Sequence, residues 1–101
     1  MKYIYALSIV TENTIRVLQR MASIFARNRL NIEQLTVFET GNKGVSLCNV
    51  VIHSDIETME RAIKQLRRIV ELLEVNVNSQ IPLIGSEVMH NQNPGKESPG
   101  S

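Results

Sequence analysis

Apolar and polar residues alternate from Tyr3 to Val10, and the run is rich in aromatic and branched side chains, which predicts a strand. The period then changes. Leu18, Met21, Ala22 and Phe25 fall at three- and four-residue spacing, so Thr14–Arg27 reads as a helix with one apolar stripe. Asn13 or Thr14 can cap its first turn. Arg27 and Arg29 place positive charge at its end, and Asn28 suits a left-handed exit. Residues Leu30–Thr40 form a second strand, with Leu35 and Val37 on one face and Thr36 and Phe38 on the other. "GNKG" (Gly41–Gly44) is a hairpin signal, and Val45–His53 is the third strand. "SDIE" (Ser54–Glu57) has the form of a capping box. The helix it opens runs to about Leu72, with Ile56, Met59, Ile63, Leu66, Ile69, Val70 and Leu73 inward. Val75–Ser79 is a short last strand. The composition changes after Ile84, and "HNQNPGKESPGS" (His90–Ser101) is polar, aperiodic and dotted with proline and glycine. The expectation is one folded domain over 1–79 and a disordered tail over 80–101.

The order βαββαβ, with a hairpin between strands two and three, is a split βαβ pattern. It predicts an α+β, ferredoxin-like fold: a four-stranded antiparallel sheet with two helices on one face. Strands one and three are then central. Strand two is an edge, long and only lightly charged, and native edges of this kind are usually covered or paired. A domain this small also gains from burying surface against a second copy.

Composition narrows the function. The 101 residues suffice for one domain, and the formal net charge of +1 argues against nucleic acid or an anionic membrane as the main partner. Cys48 is the only cysteine, which excludes a disulfide framework and fits a reducing compartment. The first residues pass directly into a strand pattern, without a long apolar segment, so a soluble cytoplasmic protein is expected. No carboxylates pair with a histidine at useful spacing, and no Ser-His-Asp or Cys-His set is apparent. His53 and His90 read as surface residues without metal-ligand spacing, and Cys48 as a small core hydrophobe. Arg61, Lys64, Arg67 and Arg68 read as a solvated helix face, with Glu57–Arg61 and Glu60–Lys64 in the favourable i,i+4 order. Tyr3 and Tyr5 share a face and could stack bases, but the third strand has no aromatic to complete such a platform. "GNKG" is followed by no helix, so it is a poor phosphate cradle.

One constellation remains. The turn "TENTIRV" (Thr11–Val17) leads into the first helix, whose start offers unpaired N–H groups and a positive dipole end to a carboxylate. Strand two, "LNIEQLTV" (Leu30–Val37), is expected to pass beside that start and bring in Asn31, whose amide can accept from an ammonium. A free amino acid would fit between them. Both asparagines have plainer readings as well: a helix cap and a strand entry.

"EN" (Glu12–Asn13), "RVLQRMASIFARNRLNIEQLTV" (Arg16–Val37) and "IKQLRRIVELLEV" (Ile63–Val75) together resemble the small regulatory subunit of acetolactate synthase, also called acetohydroxyacid synthase. The resemblance covers about residues 3–79 and implies an ACT domain, the βαββαβ module that binds amino acids. It implies a homodimer through the edge strand 30–40, and a larger catalytic partner that uses thiamine diphosphate, a divalent metal such as Mg and usually FAD. It implies no cofactor and no catalytic residue in this chain, which would activate the partner and transmit inhibition by valine or a related branched-chain amino acid. By position, Asn13 and Asn31 match effector-contacting asparagines, and Thr14, Ile15 and Ile32 would line the same pocket. Arg16 stands where the family usually has glycine. It would strain the turn, fill the pocket, turn outward and alter the site's shape, or fork onto the ligand's carboxylate. Many relatives carry a second domain, so this sequence resembles the short forms. A different class of reading is a stand-alone ACT sensor controlling another enzyme or a transcription factor. An acylphosphatase on the same fold would need a glycine-rich loop that "TENTIRV" lacks.

Overall fold

The computed structural model describes residues 1–83 of the chain. Its elements are β1 (Tyr3–Glu12), α1 (Thr14–Arg27), β2 (Asn31–Glu39), β3 (Val45–Ser54), α2 (Ile56–Leu66) and β4 (Leu72–Pro82). The sheet order is β2-β3-β1-β4, antiparallel throughout. The ferredoxin-like split βαβ arrangement is therefore present, with β1 and β3 central and β2 at an edge.

Alternation along β1 and β3 builds the core. Tyr5, Leu7 and Ile9 of β1 and Cys48, Val50 and Ile52 of β3 are buried beneath the helices. Burial raises the Cys48 thiol above its ordinary pKa, as expected of a core residue rather than a nucleophile. Helix α1 contributes Val17, Met21, Ile24 and Phe25. Phe25 is 1% exposed, and truncating it to alanine is expected to cost about 3–5 kcal/mol. The apolar stripe thus runs through Val17 and Ile24, while Ala22 is exposed and Leu18 only half-buried. Tyr3 and Tyr5 lie on the covered side, ring centroids 6.1 Å apart, so they present no open stacking platform.

Several boundaries differ from expectation. Helix α2 stops at Leu66, well short of Leu72, and the chain turns through Arg67–Glu71. Met59, Ala62, Leu66 and Ile69 are buried, whereas Ile56, Val70 and Leu73 are exposed. The periodicity continued in sequence, but Ile69 reaches the core from the turn, where its N–H donates to the Leu66 carbonyl at 3.0 Å. Neither Glu57–Arg61 nor Glu60–Lys64 closes into an ion pair among the described residues. Strand β4 is longer than Val75–Ser79, and Gln80, Ile81 and Pro82 pair with Tyr5, Ile4 and Tyr3. Those three residues were expected in the tail. The rest of that tail from 84 onward, His90 included, lies outside the described residues.

Helix α1 ends in a Schellman turn. Leu30 N–H donates to the Phe25 carbonyl at 2.8 Å, and Arg29 N–H to the Ala26 carbonyl at 3.0 Å. The left-handed residue is Arg29, at φ 57, and not Asn28, at φ −90. Asn28 is occupied instead: its amide donates to the Ile24 carbonyl at 2.7 Å and to Gln65 Oε1 at 2.9 Å, tying α1 to α2.

Candidate functional site around the start of helix α1

Strand β1 delivers the chain to α1 through Thr11, which is fully buried. Its hydroxyl lies 3.1 Å from the Glu71 carbonyl, which also accepts the Glu12 N–H at 2.9 Å. This lock to the α2–β4 turn fixes where α1 begins. Asn13 then takes a left-handed conformation (φ 48, ψ 58), and its side chain makes no capping bond. A capping residue ordinarily has extended backbone so that its side chain can reach back to the second or third N–H. At φ 48 the Asn13 side chain points elsewhere. Thr14 does not cap either, because its hydroxyl bonds to Ser46 Oγ at 2.7 Å. The first helical backbone bond runs from Val17 N–H to the Asn13 carbonyl, so the N–H groups of Thr14, Ile15 and Arg16 have no partner within the helix. No acidic residue sits in this first turn.

A cavity of about 400 Å³ adjoins this start, lined by Asn13, Thr14, Ile15, Val37, Glu39, Gly44 and Ser46. Gly44 adopts φ 82 at the end of the β2–β3 hairpin, a conformation glycine takes without strain. The hairpin thereby brings Ser46 and Glu39 to the cavity. Periodicity gave no sign of these two. The β1–β3 register would have done so for Ser46, since it pairs Thr11 with Ser46.

Six residues were expected at the site, and the chain brings three of them to this cavity: Asn13, Thr14 and Ile15. Asn31 and Ile32 are elsewhere. The far end of β2, at Val37 and Glu39, flanks the start of α1, while Asn31 pairs with His53 at the other end of the sheet. Eight residues of strand separate Asn31 from Glu39, roughly 26 Å at about 3.3 Å per residue. The expectation that Asn31 lies beside Asn13 within one chain is thus wrong. The reason is direction: β2 runs away from the end of α1 and only its last residues return to the start of the helix.

Arg16 settles outward. Its Nε lies 3.5 Å from Glu71 Oε2, its side chain is 62% exposed, and it does not line the cavity. Its backbone is ordinary helix, and the positive φ in this turn belongs to Asn13. Neither backbone strain at position 16 nor a guanidinium filling the pocket is present.

All nine residues of β2 are exposed, and among the described residues no strand neighbours its outer edge. Ile32, Leu35 and Val37 pair with residues whose side chains face the helices, yet they remain 40%, 43% and 41% exposed. They form an apolar ledge beside α1 that no described residue covers.

Residues 7–74 match the family model described as an AHAS small subunit-like ACT domain. The acetolactate synthase small subunit of Aquifex aeolicus is 32% identical over 84 residues, which is 83% of this chain and 44% of that protein. The probable acetolactate synthase small subunit of Archaeoglobus fulgidus is 35% identical over 72 residues, 71% of this chain and 45% of that protein. A crystal structure of the acetolactate synthase small subunit from Thermotoga maritima superimposes with a TM-score of 0.64 at 30% identity, covering 73% of this chain and 46% of that one. The chain spans less than half the length of these relatives.

Proposed function

The chain belongs to the family of AHAS small subunit-like ACT domains, and on that footing we propose that it is a non-catalytic regulatory subunit that binds and activates the catalytic subunit of acetolactate synthase. The catalytic partner would supply thiamine diphosphate, a divalent metal and FAD. This chain would supply an amino-acid switch for branched-chain amino-acid synthesis. The observation that carries the switch is the uncapped start of α1, whose free N–H groups and dipole end suit a carboxylate.

The proposed site is completed by a second copy. Antiparallel pairing of β2 with its counterpart about a two-fold axis sets the start of one strand against the end of the other. Asn31 and Ile32 of one copy then approach Glu39, Asn13, Thr14 and Ile15 of its partner. The separation of Asn13 from Asn31 within one chain becomes proximity across the pair. The ledge of Ile32, Leu35 and Val37 would be covered, and the unpaired edge satisfied. The ligand's carboxylate would sit on the N–H groups of α1, and its ammonium near the Asn31 amide oxygen and Glu39.

Inhibition by valine is proposed to be weakened and activation retained. Arg16 does not line the cavity as it stands, so the weakening would come from its guanidinium leaving Glu71 and swinging across the helix start, a movement glycine cannot make. The test is acetolactate formation by the cognate large subunit, titrated with this protein with and without valine. A rising rate that valine depresses only at high concentration is expected, and valine should act at lower concentration on Arg16→Gly. A flat titration would remove the regulatory reading. Valine binding with a flat titration would favour the stand-alone sensor.

A further inference from the structure

The opposite end of the domain holds a cavity of about 410 Å³ whose lining shares no residue with the cavity at the start of α1. Its cationic lining comes from three segments: Lys2 before β1, Arg27 and Arg29 at the end of α1, and Arg61 on α2. Four of the chain's eleven lysines and arginines therefore meet at one concavity, in a protein whose charges otherwise nearly cancel. The carboxylate present, Asp55, is already engaged: its two oxygens accept from the N–H and the hydroxyl of Thr58. Lys2, Arg27, Arg29 and Arg61 form no ion pair among the described residues. His53 stands at the margin, 3.8 Å from Glu33.

Arg29 is the informative member. It occupies the left-handed position of the Schellman turn, where glycine is the usual residue because it has no Cβ to strain. An arginine there keeps a guanidinium at the cavity against the backbone's preference. Arg27 is shared with the neighbouring groove between the helices, its Nη2 lying 3.5 Å from Gln65 Oε1. We infer that this cavity binds a small phosphate-bearing anion. Cations converging from three segments suit the oxygens of a tetrahedral group, and guanidinium forks match phosphate. The volume accommodates more than one phosphate group and lies in the range of small-molecule sites.

The inference is independent of the family reading, and calorimetry on the full chain at low salt tests it. Pyrophosphate should bind in the millimolar range or tighter, inorganic phosphate more weakly, and citrate more weakly than pyrophosphate. Arg61→Gln and Arg29→Gly should each reduce pyrophosphate affinity by about tenfold or more, the scale of a lost charge-assisted contact, and Lys43→Gln on the distant hairpin should not. Arg29→Gly also guards against misreading an unfolded variant. Glycine suits φ 57, so this variant should melt higher than the parent while binding less. Unchanged affinity in both arginine variants would overturn the site. Citrate binding as tightly as pyrophosphate would overturn the phosphate assignment. Absence of heat with pyrophosphate, with weaker capture of the catalytic chain by Arg61→Gln, would overturn it in favour of a protein contact.

Discussion

Helices α1 and α2 occupy equivalent places in the two halves of the fold, each following a central strand, yet they begin differently. At α2, Asp55 has extended backbone (φ −79, ψ 165) and its carboxylate accepts the Thr58 N–H at 3.1 Å. Glu57 adds a second negative charge to that first turn. At α1, Asn13 is left-handed, its side chain caps nothing, and the first turn has no acid. A fold that needed only two stable helices would close both starts in the same way. The start of α2 is capped within the chain at the Thr58 N–H, whereas that of α1 keeps its N–H groups uncapped beside a cavity and the edge strand. On the proposed function, stability and binding are divided between two copies of the same local structure.

If the open start is completed by a second copy, damage to the β2 edge should have the largest effect. Leu35→Lys puts a charge in the middle of the ledge. It should convert a dimer to a monomer in sedimentation and weaken valine binding by about tenfold or more, equivalent to about 1.4 kcal/mol. Dimers with unchanged affinity would break the link between edge and site.

Exchanging damage between the two caps sharpens the contrast. Asp55→Ala should lower the melting temperature by a few degrees and leave valine affinity alone. Asn13→Gly should do the reverse. It loses the site's amide, while φ 48 is a conformation glycine adopts freely, so the protein should melt no lower than the parent.

Acid provides a gentler version of the same test. The bonds from the Thr58 hydroxyl and N–H hold the Asp55 carboxyl below its ordinary pKa of 3.8. A carboxyl lowered by folding stabilises the protein above its unfolded pKa, and that contribution disappears as pH falls through the lowered folded value. The melting difference between parent and Asp55→Asn should therefore be full at neutral pH and shrink once pH drops below 3.8. The parent and Asn13→Gly should show no such convergence.

The smallest effect belongs to the Arg16–Glu71 pair. Its Arg16 side is largely exposed and the contact is long at 3.5 Å, so Glu71→Gln should change stability by no more than about 0.5 kcal/mol. It should nevertheless shift valine affinity measurably, because it frees the guanidinium to reach the helix start.

The element order, the edge position of β2 and the bounds of α1 were legible in the sequence, because alternation and helical spacing report burial directly. The starts of the helices were less so. "SDIE" suggested Ser54 as the cap, but Asp55 does the capping and the Ser54 hydroxyl donates to the Asp55 carbonyl at 2.8 Å. Residue type tells which side chains can cap, whereas backbone conformation decides which one does, and the left-handed turn at Asn13 has no sequence signature beyond the residue's tolerance for it. Asn13, Thr14 and Ile15 line one cavity because they are contiguous. Asn31 was misplaced because its distance from Asn13 depends on strand direction and, in the proposed dimer, on a second molecule. Glu71 went unnoticed as the partner of Arg16, since contact across 55 residues leaves no local pattern.

The division between the two helix starts can be observed amide by amide. In a titration of the nitrogen-15-labelled protein with valine, the N–H resonances of Thr14, Ile15 and Arg16 should move, together with those of Asn31 and Ile32. Those of Ile56, Glu57 and Thr58 should stay in place. Stationary resonances at the start of α1 up to tens of millimolar valine, roughly the limit at which weak binding remains meaningful, would contradict the account, as would movement confined to the start of α2.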